Sequence, residues 1–228
     1  MLPASNTTTA PSASPTPLTP PTPSIPGPRR RPALTALTTL ALTAALLALP
    51  TATAGAATAA APSKPPAGAD TKRLDITMQA QRKTNWCWAA AGNTIATWFG
   101  QDRSQNEFCN AAFNHRQGGD CPNSQAALDD VQTGLSWTGV NSGSYVANSL
   151  SYSTVRAEID ADRPLETRIR WSSGGGHMHV IYGYDAAGSW VYWGDPWPSS
   201  ERYSWASHSW YVDNSEFAWT HSLYRIGA

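Results

Sequence analysis

"KTNWCWAAAGNT", Lys83 to Thr94, sets one cysteine between two tryptophans and runs directly into three alanines. Trp88, Ala91, Ile95 and Trp98 recur at intervals of three and four residues, the spacing of one helix face. Asn85 offers an N-cap and Gly100 a stop, so the pattern predicts a helix with Cys87 in its first turn. Unpaired backbone N–H groups and the macrodipole at that end favour an anion, and hence a thiolate. The same stretch also suits a buried structural thiol, because free cysteine is among the most buried residue types. Residues elsewhere in the chain must decide between the two.

Toward the N-terminus the composition changes. All sixteen acidic residues and all eleven tryptophans lie from Asp70 onward. Residues 1–28 are mostly Pro, Thr and Ser without charge, a composition that cannot bury enough surface to fold. Arg29, Arg30 and Arg31 then precede an apolar stretch, Leu34 to Leu49, that ends in small residues at Ala52 and Ala54. Basic, apolar and small in that order reads as a cleaved export signal over 29–54. A membrane anchor is the competing reading, since the apolar run approaches the roughly 20 residues that a bilayer needs. Residues 55–70, rich in Ala and Pro, read as a linker or short pro-segment, leaving one globular domain over 71–228. From Asp70 to Ala228 twelve basic residues face sixteen acidic ones, which gives no electrostatic case for nucleic acid. The expected product is an extracellular monomer without stable membrane association.

An oxidising compartment permits disulfides, and three cysteines leave one unpaired. Cys109 and Cys121 enclose "NAAFNHRQGGD", a loop able to return the chain and close a bridge worth on the order of 3 kcal/mol. That pairing leaves Cys87 as the free thiol. A metal site from Cys109, His115 and Cys121 has spacings unlike those of zinc modules.

A nucleophilic cysteine needs a base and usually a third group to orient it. Downstream, "RIRWSSGGGHMHVIYGYDAAGSWVYWGDPWP", Arg168 to Pro198, supplies both types. Alternation predicts a strand over Leu165 to Trp171, a Gly-rich loop over Ser172 to Gly176, and strands over His177 to Tyr184 and Trp190 to Trp193. His177 and His179 point to one side of their strand, and Asp195 follows the next strand. Asp185, before "AAG", fits a turn without any further role.

Gln81, Cys87 followed by Trp88 and Ala89, a histidine entering an apolar strand that ends in Gly183-Tyr184, and Asp195-Pro196-Trp197 together resemble the papain-like cysteine proteases. The likeness is to small bacterial secreted and effector types, related to the peptidases that process bacteriocin leaders. It implies Cys87 as nucleophile and Gln81, with the Cys87 backbone N–H, as oxyanion hole. It places the base at His177, six residues before Gly183, and leaves His179 as the alternative. Asp195 would accept the imidazole N–H, and Trp197 would shield that contact. It implies a protein or peptide substrate and no cofactor.

Two other classes stay open: a metal site built from His177, His179 and Asp195, and a non-catalytic binding module. Within the enzyme class, amide hydrolysis and acyl transfer use the same chemistry. Helices are expected near Ser124 to Gln132 and over Ser153 to Ala161, capped by Ser153. Further strands are expected at Trp210 to Val212 and Ser222 to Arg225. Helices first and antiparallel strands after read as α+β, papain-like, with the site in the cleft between halves. Tyr145 to Ser153, the Ser172 to Gly176 loop and aromatic residues near Trp193 are expected to shape specificity.

Overall fold

Cys87 opens a helix, as its sequence pattern predicts. In the computed structural model, which describes residues 70–228, this helix is α1, Cys87–Trp98. The expected leader, export signal and nearly all of the linker lie outside the described residues. Asn85 is not the cap: Trp86 holds that position, and its side chain makes no capping bond. Asn85 instead donates its Nδ2 to the Asn123 carbonyl at 2.9 Å and its backbone N–H to Asn123 Oδ1 at 2.9 Å. Trp86 and Trp88 are buried, and their indole N–H groups donate to the carbonyls of Pro122 at 3.0 Å and Ser124 at 3.1 Å. Both tryptophans therefore seat the start of α1 on one short segment, satisfying their polar edge while burying the ring.

That anchoring explains a shifted boundary. The helix expected from Ser124 begins later, as α3 over Leu128–Thr138, because Pro122 and Ser124 are held by the two indoles. Helix α2, Gln105–Ala112, was not expected, although Ser104 and Glu107 form a capping box whose Ser-x-x-Glu spacing is legible in the sequence. Cys109 in α2 is disulfide-bonded to Cys121 with a Cα–Cα separation of 6.1 Å, which also removes both thiols from the Cys109–His115–Cys121 metal reading. Cys87 is the free cysteine.

Gly92 of α1 and Gly134 of α3 leave room for Phe108 of α2. A Cβ at either glycine would lie 2.6 Å from the Phe108 ring, and that ring is fully buried. Gly92→Ala would gain about 1 kcal/mol in helix propensity but overpack a site that costs about 1–3 kcal/mol. Thermal unfolding should therefore show a lowered midpoint; a rise would mean that the three-helix contact can relax.

The second half is antiparallel. Strands β2 (Ser144–Val146), β3 (Leu165–Trp171), β4 (Gly176–Asp185), β5 (Trp190–Gly194), β6 (Tyr203–Ser207) and β7 (Phe217–Tyr224) line up as β2-β7-β3-β4-β5-β6, with β1 (Thr71–Arg73) on β4. Between them run α4, Tyr152–Asp160, and α5, His208–Val212. Ser151 rather than Ser153 caps α4, accepting from the Thr154 N–H at 3.2 Å.

The strand expected at Trp210 to Val212 is instead the helix α5. Ser207 accepts from the Trp210 N–H at 3.3 Å and starts a helical turn, and that turn carries Tyr211 into the core. Of the strand expected at Ser222 to Arg225, Ser222 to Tyr224 form the end of the longer β7, and Arg225 lies beyond it. Asp185 does what turn chemistry asks, accepting from the Ala187 N–H at 2.9 Å. Helices α1 to α3 followed by the antiparallel sheet give the expected α+β architecture. Among the described residues no helix is long and apolar enough to cross a membrane.

Candidate active site

Helix α1 and strand β4 meet where the sequence places its chemistry. A cleft of about 290 Å³ is lined by Cys87, Trp88, Trp171, His177, Asp195 and Trp197, among others. Cys87 is the first residue of α1, so its backbone N–H has no intrahelical acceptor. His177 Nε2 lies 2.7 Å from Asp195 Oδ1, leaving Nδ1 as the ring nitrogen free for another partner. Asp195 Oδ1 also accepts from the Trp197 N–H at 2.7 Å, and the Arg202 guanidinium donates to the Asp195 carbonyl. The carboxylate is thus fixed from both side chain and backbone.

Burial disfavours a charged His177, but pairing with Asp195 and with the Cys87 sulfur outweighs it and pushes the imidazolium pKa up to about 9. Burial likewise disfavours the Asp195 carboxylate, and the His177 hydrogen bond leads the contacts that more than reverse this, holding it well below the usual carboxylate range. An ionised pair follows: imidazolium against carboxylate.

His179 has different surroundings. Its Nδ1 is 3.1 Å from the Tyr211 hydroxyl, which in turn is 2.7 Å from Thr167 Oγ1. Its Nε2 stands 3.7 Å from Asp195 Oδ2, beyond hydrogen-bond length, and makes no hydrogen bond. Trp193 stacks on its ring at 6.2 Å. Burial lowers its pKa, so it stays neutral, and it does not line the cleft that holds Cys87.

Trp197, expected to shield the Asp195 contact, stands edge-on to His177 at 6.3 Å between ring centroids and is 41 % exposed. The more enclosing ring is Trp171, stacked on His177 at 6.0 Å, a role that alternation along a strand does not reveal. Glu166 of β3 was also unexpected. It is fully buried and neither oxygen is hydrogen-bonded. Burial, and then the charge of Cys87, push its pKa well above the ordinary value, so it stands as a neutral acid.

Gln81 is buried beside the start of α1. Its Nε2 donates to the carbonyls of Lys83 at 2.9 Å and Thr84 at 2.8 Å, which engages both amide hydrogens, while Oε1 has no partner. Gln81 does not line the cleft. Of the segments expected to shape specificity, Gly176 lines the cleft, and Trp193 lines a second cavity beside it. Tyr145 to Ser153 line neither.

His177, His179 and Asp195 each offer an atom within 4.8 Å of the others, so the metal reading has a geometric basis. However, the 2.7 Å contact between His177 and Asp195 is shorter than the roughly 3.3 Å that separates two ligands at 2.0–2.1 Å on a tetrahedral ion. These two atoms are spaced as hydrogen-bond partners.

A free cysteine at a helix start, sharing a cleft with an imidazole braced by a carboxylate, defines the class of papain-like cysteine peptidases. Residues 70–216 match the family profile of the papain-like cysteine protease AvrRpt2, and the chain belongs to that family. Among curated proteins nothing matches the chain. Among solved structures, the peptidase domain of Streptococcus ComA, a bifunctional ABC transporter involved in quorum sensing, superposes with a TM-score of 0.48 at 18 % identity, over 65 % of this chain and 97 % of that one. Xylellain, a cysteine protease from Xylella fastidiosa, gives a TM-score of 0.42 at 11 % identity over 68 % of this chain and 85 % of that one.

Proposed function

We propose that this cysteine-type peptidase is a secreted endopeptidase in which Cys87, His177 and Asp195 form the catalytic triad. The 2.7 Å bond from His177 to Asp195, in one cleft with Cys87, carries the reading. The Cys87 thiolate attacks the scissile carbonyl carbon, and the carbonyl electrons move onto oxygen. As the C–N bond breaks, the His177 imidazolium gives its proton to the leaving amine and a thioester on Cys87 remains. Water then attacks the thioester, His177 takes the water's proton, and the Cys87 sulfur departs as thiolate. Asp195 keeps the imidazole oriented through both steps.

The Cys87 backbone N–H is the oxyanion donor that needs no rearrangement. Gln81 joins it by releasing one amide hydrogen from the carbonyl of Lys83 or Thr84. Such a donor is worth about 3–4 kcal/mol to the barrier, more than the roughly 1 kcal/mol net value of the hydrogen bond given up. Export is supported by the basic-apolar-small pattern over 29–54 and by a disulfide that suits an oxidising compartment. N-terminal sequencing of protein recovered from the medium should begin downstream of Ala54, and an intact N-terminus held in the cell would contradict export.

Treatment of the purified chain with a thiol alkylator or a chelator tests the chemistry. Under reducing conditions, cleavage of a peptide library should end on alkylation and survive the chelator. The opposite pattern would favour a metal held by His177, His179 and Asp195, the second reading that their 4.8 Å grouping supports.

A further inference from the structure

Beside the cleft lies a second cavity of about 790 Å³, lined by Trp171, His179, Trp193, Asp195, Trp205, Trp210 and Phe217 together with Glu201 and Glu216. It shares Trp171, Asp195 and Ser200 with the cleft but does not touch Cys87. It therefore continues the cleft on its histidine side. In the proposed reaction the imidazolium hands its proton to the leaving amine, so the substrate residues after the cleaved bond run toward this side. The cavity's occupant is then a side chain of the leaving segment, an assignment that rests on the proposed triad.

The cavity's chemistry selects that side chain. Trp193 and Trp210 stack at 6.3 Å with 21° between planes, and Phe217 meets Trp210 edge-on at 5.4 Å, so large π surfaces form the walls. Glu201 and Glu216 are exposed, and neither joins any ion pair among the described residues. No Lys or Arg lines the cavity. Arg73, Lys83, Arg103 and Arg156 instead cover Tyr192, Trp86, Trp137 and Tyr184, and Arg202, at the cavity's border, is engaged by the Asp195 carbonyl. Aromatic faces with uncompensated carboxylates at their edge attract a cation. A guanidinium suits them better than an ammonium, since its plane stacks on indole while its fork pairs with carboxylate.

We propose that this cavity is a specificity subsite for an arginine side chain in the leaving segment of the peptide substrate. Glu201 and Glu216 supply the charge selection and the tryptophans the shape.

Two measurements test it. Internally quenched peptides carrying arginine at each of the first three positions after the cleaved bond are compared with the same peptides carrying citrulline, leucine or tryptophan. Arginine at one position should raise kcat/KM ~10-fold over citrulline. The double substitution Glu201→Gln with Glu216→Gln should erase that preference while leaving the citrulline peptides unchanged. Separately, Cys87→Ala is titrated with Nα-acetyl-argininamide and Nα-acetyl-citrullinamide while tryptophan fluorescence is read. Saturable quenching by the arginine compound alone, lost in the double variant, supports the subsite even if no peptide is cleaved, in which case the triad assignment fails instead. Equal response to both compounds, or a preference for leucine or tryptophan in the cleavage series, overturns the proposal.

Discussion

Replacing Cys87 with alanine is expected to remove peptide cleavage, by on the order of 10⁴–10⁶-fold in kcat, with the unfolding midpoint nearly unchanged. The two halves of that expectation have separate causes. Alanine is the best helix former, and Cys87 is half-buried at the first position of α1 rather than deep in its packing. The indoles of Trp86 and Trp88, which seat the helix, keep both of their carbonyl partners. Loss of Sγ, by contrast, removes the only atom able to form the thioester, and no second free cysteine stands among the described residues. Cys87→Ser gives a sharper version. The oxygen keeps a nucleophile of similar shape, but a hydroxyl with a pKa far above that of a thiol is not ionised by the same imidazole. Its residual rate should stay within about tenfold of the alanine variant. Cleavage by either variant at the wild-type rate, measured on purified chain with a peptide library, would place the chemistry elsewhere.

Local pattern made the site legible to different depths. Cys87 and its helix follow from residue spacing over one dozen positions, and the pairing of Cys109 with Cys121 follows from loop length and cysteine number. The helix cap was misread because Asn85 is claimed by Asn123, 38 residues away, a tertiary contact that capping preference cannot anticipate. The α5 segment was misread as a strand because its aromatic residues carry strand propensity, whereas one hydroxyl on Ser207 starts a helical turn. Helix α2 was readable and was missed: Ser104 and Glu107 carry its signal openly. The two histidines show the limit most clearly. Strand alternation puts both on one face, and only the placement of Tyr211 and Trp193 gives them different neighbours. Glu166 and Gln81 are legible as residue types but not as states. A neutral buried acid and an amide with both hydrogens engaged depend on what surrounds them in three dimensions.

Those neighbours make the histidine pair the second decisive test. His177→Ala should lower kcat by on the order of 10⁴-fold, since in the proposed reaction this imidazole both takes and returns the proton. His179→Phe should cost less than about tenfold in kcat. It retains the aromatic packing against Trp193 and Tyr211 and gives up one hydrogen bond, worth about 1 kcal/mol of stability. If His179 were the base, these magnitudes would exchange. A pH series adds a reading that a merely structural role would not move. The His177 pKa is raised from 6.5 to about 9, so its proton is present throughout the neutral range and is lost near pH 9, where cleavage should decline on the alkaline side. A folded-state pKa above the unfolded one contributes stability that is complete below about 6.5 and fades as pH rises through 9. Asp195 has the opposite sign: its depressed pKa contributes stability above the ordinary carboxylate range, lost only as pH falls well below it. Wild-type unfolding midpoints should therefore drop between pH 7 and 9.5, and His177→Ala should flatten that drop while His179→Phe preserves it. An unchanged alkaline slope in His177→Ala would separate the imidazolium from the Cys87–Asp195 site and return the choice of base to His179.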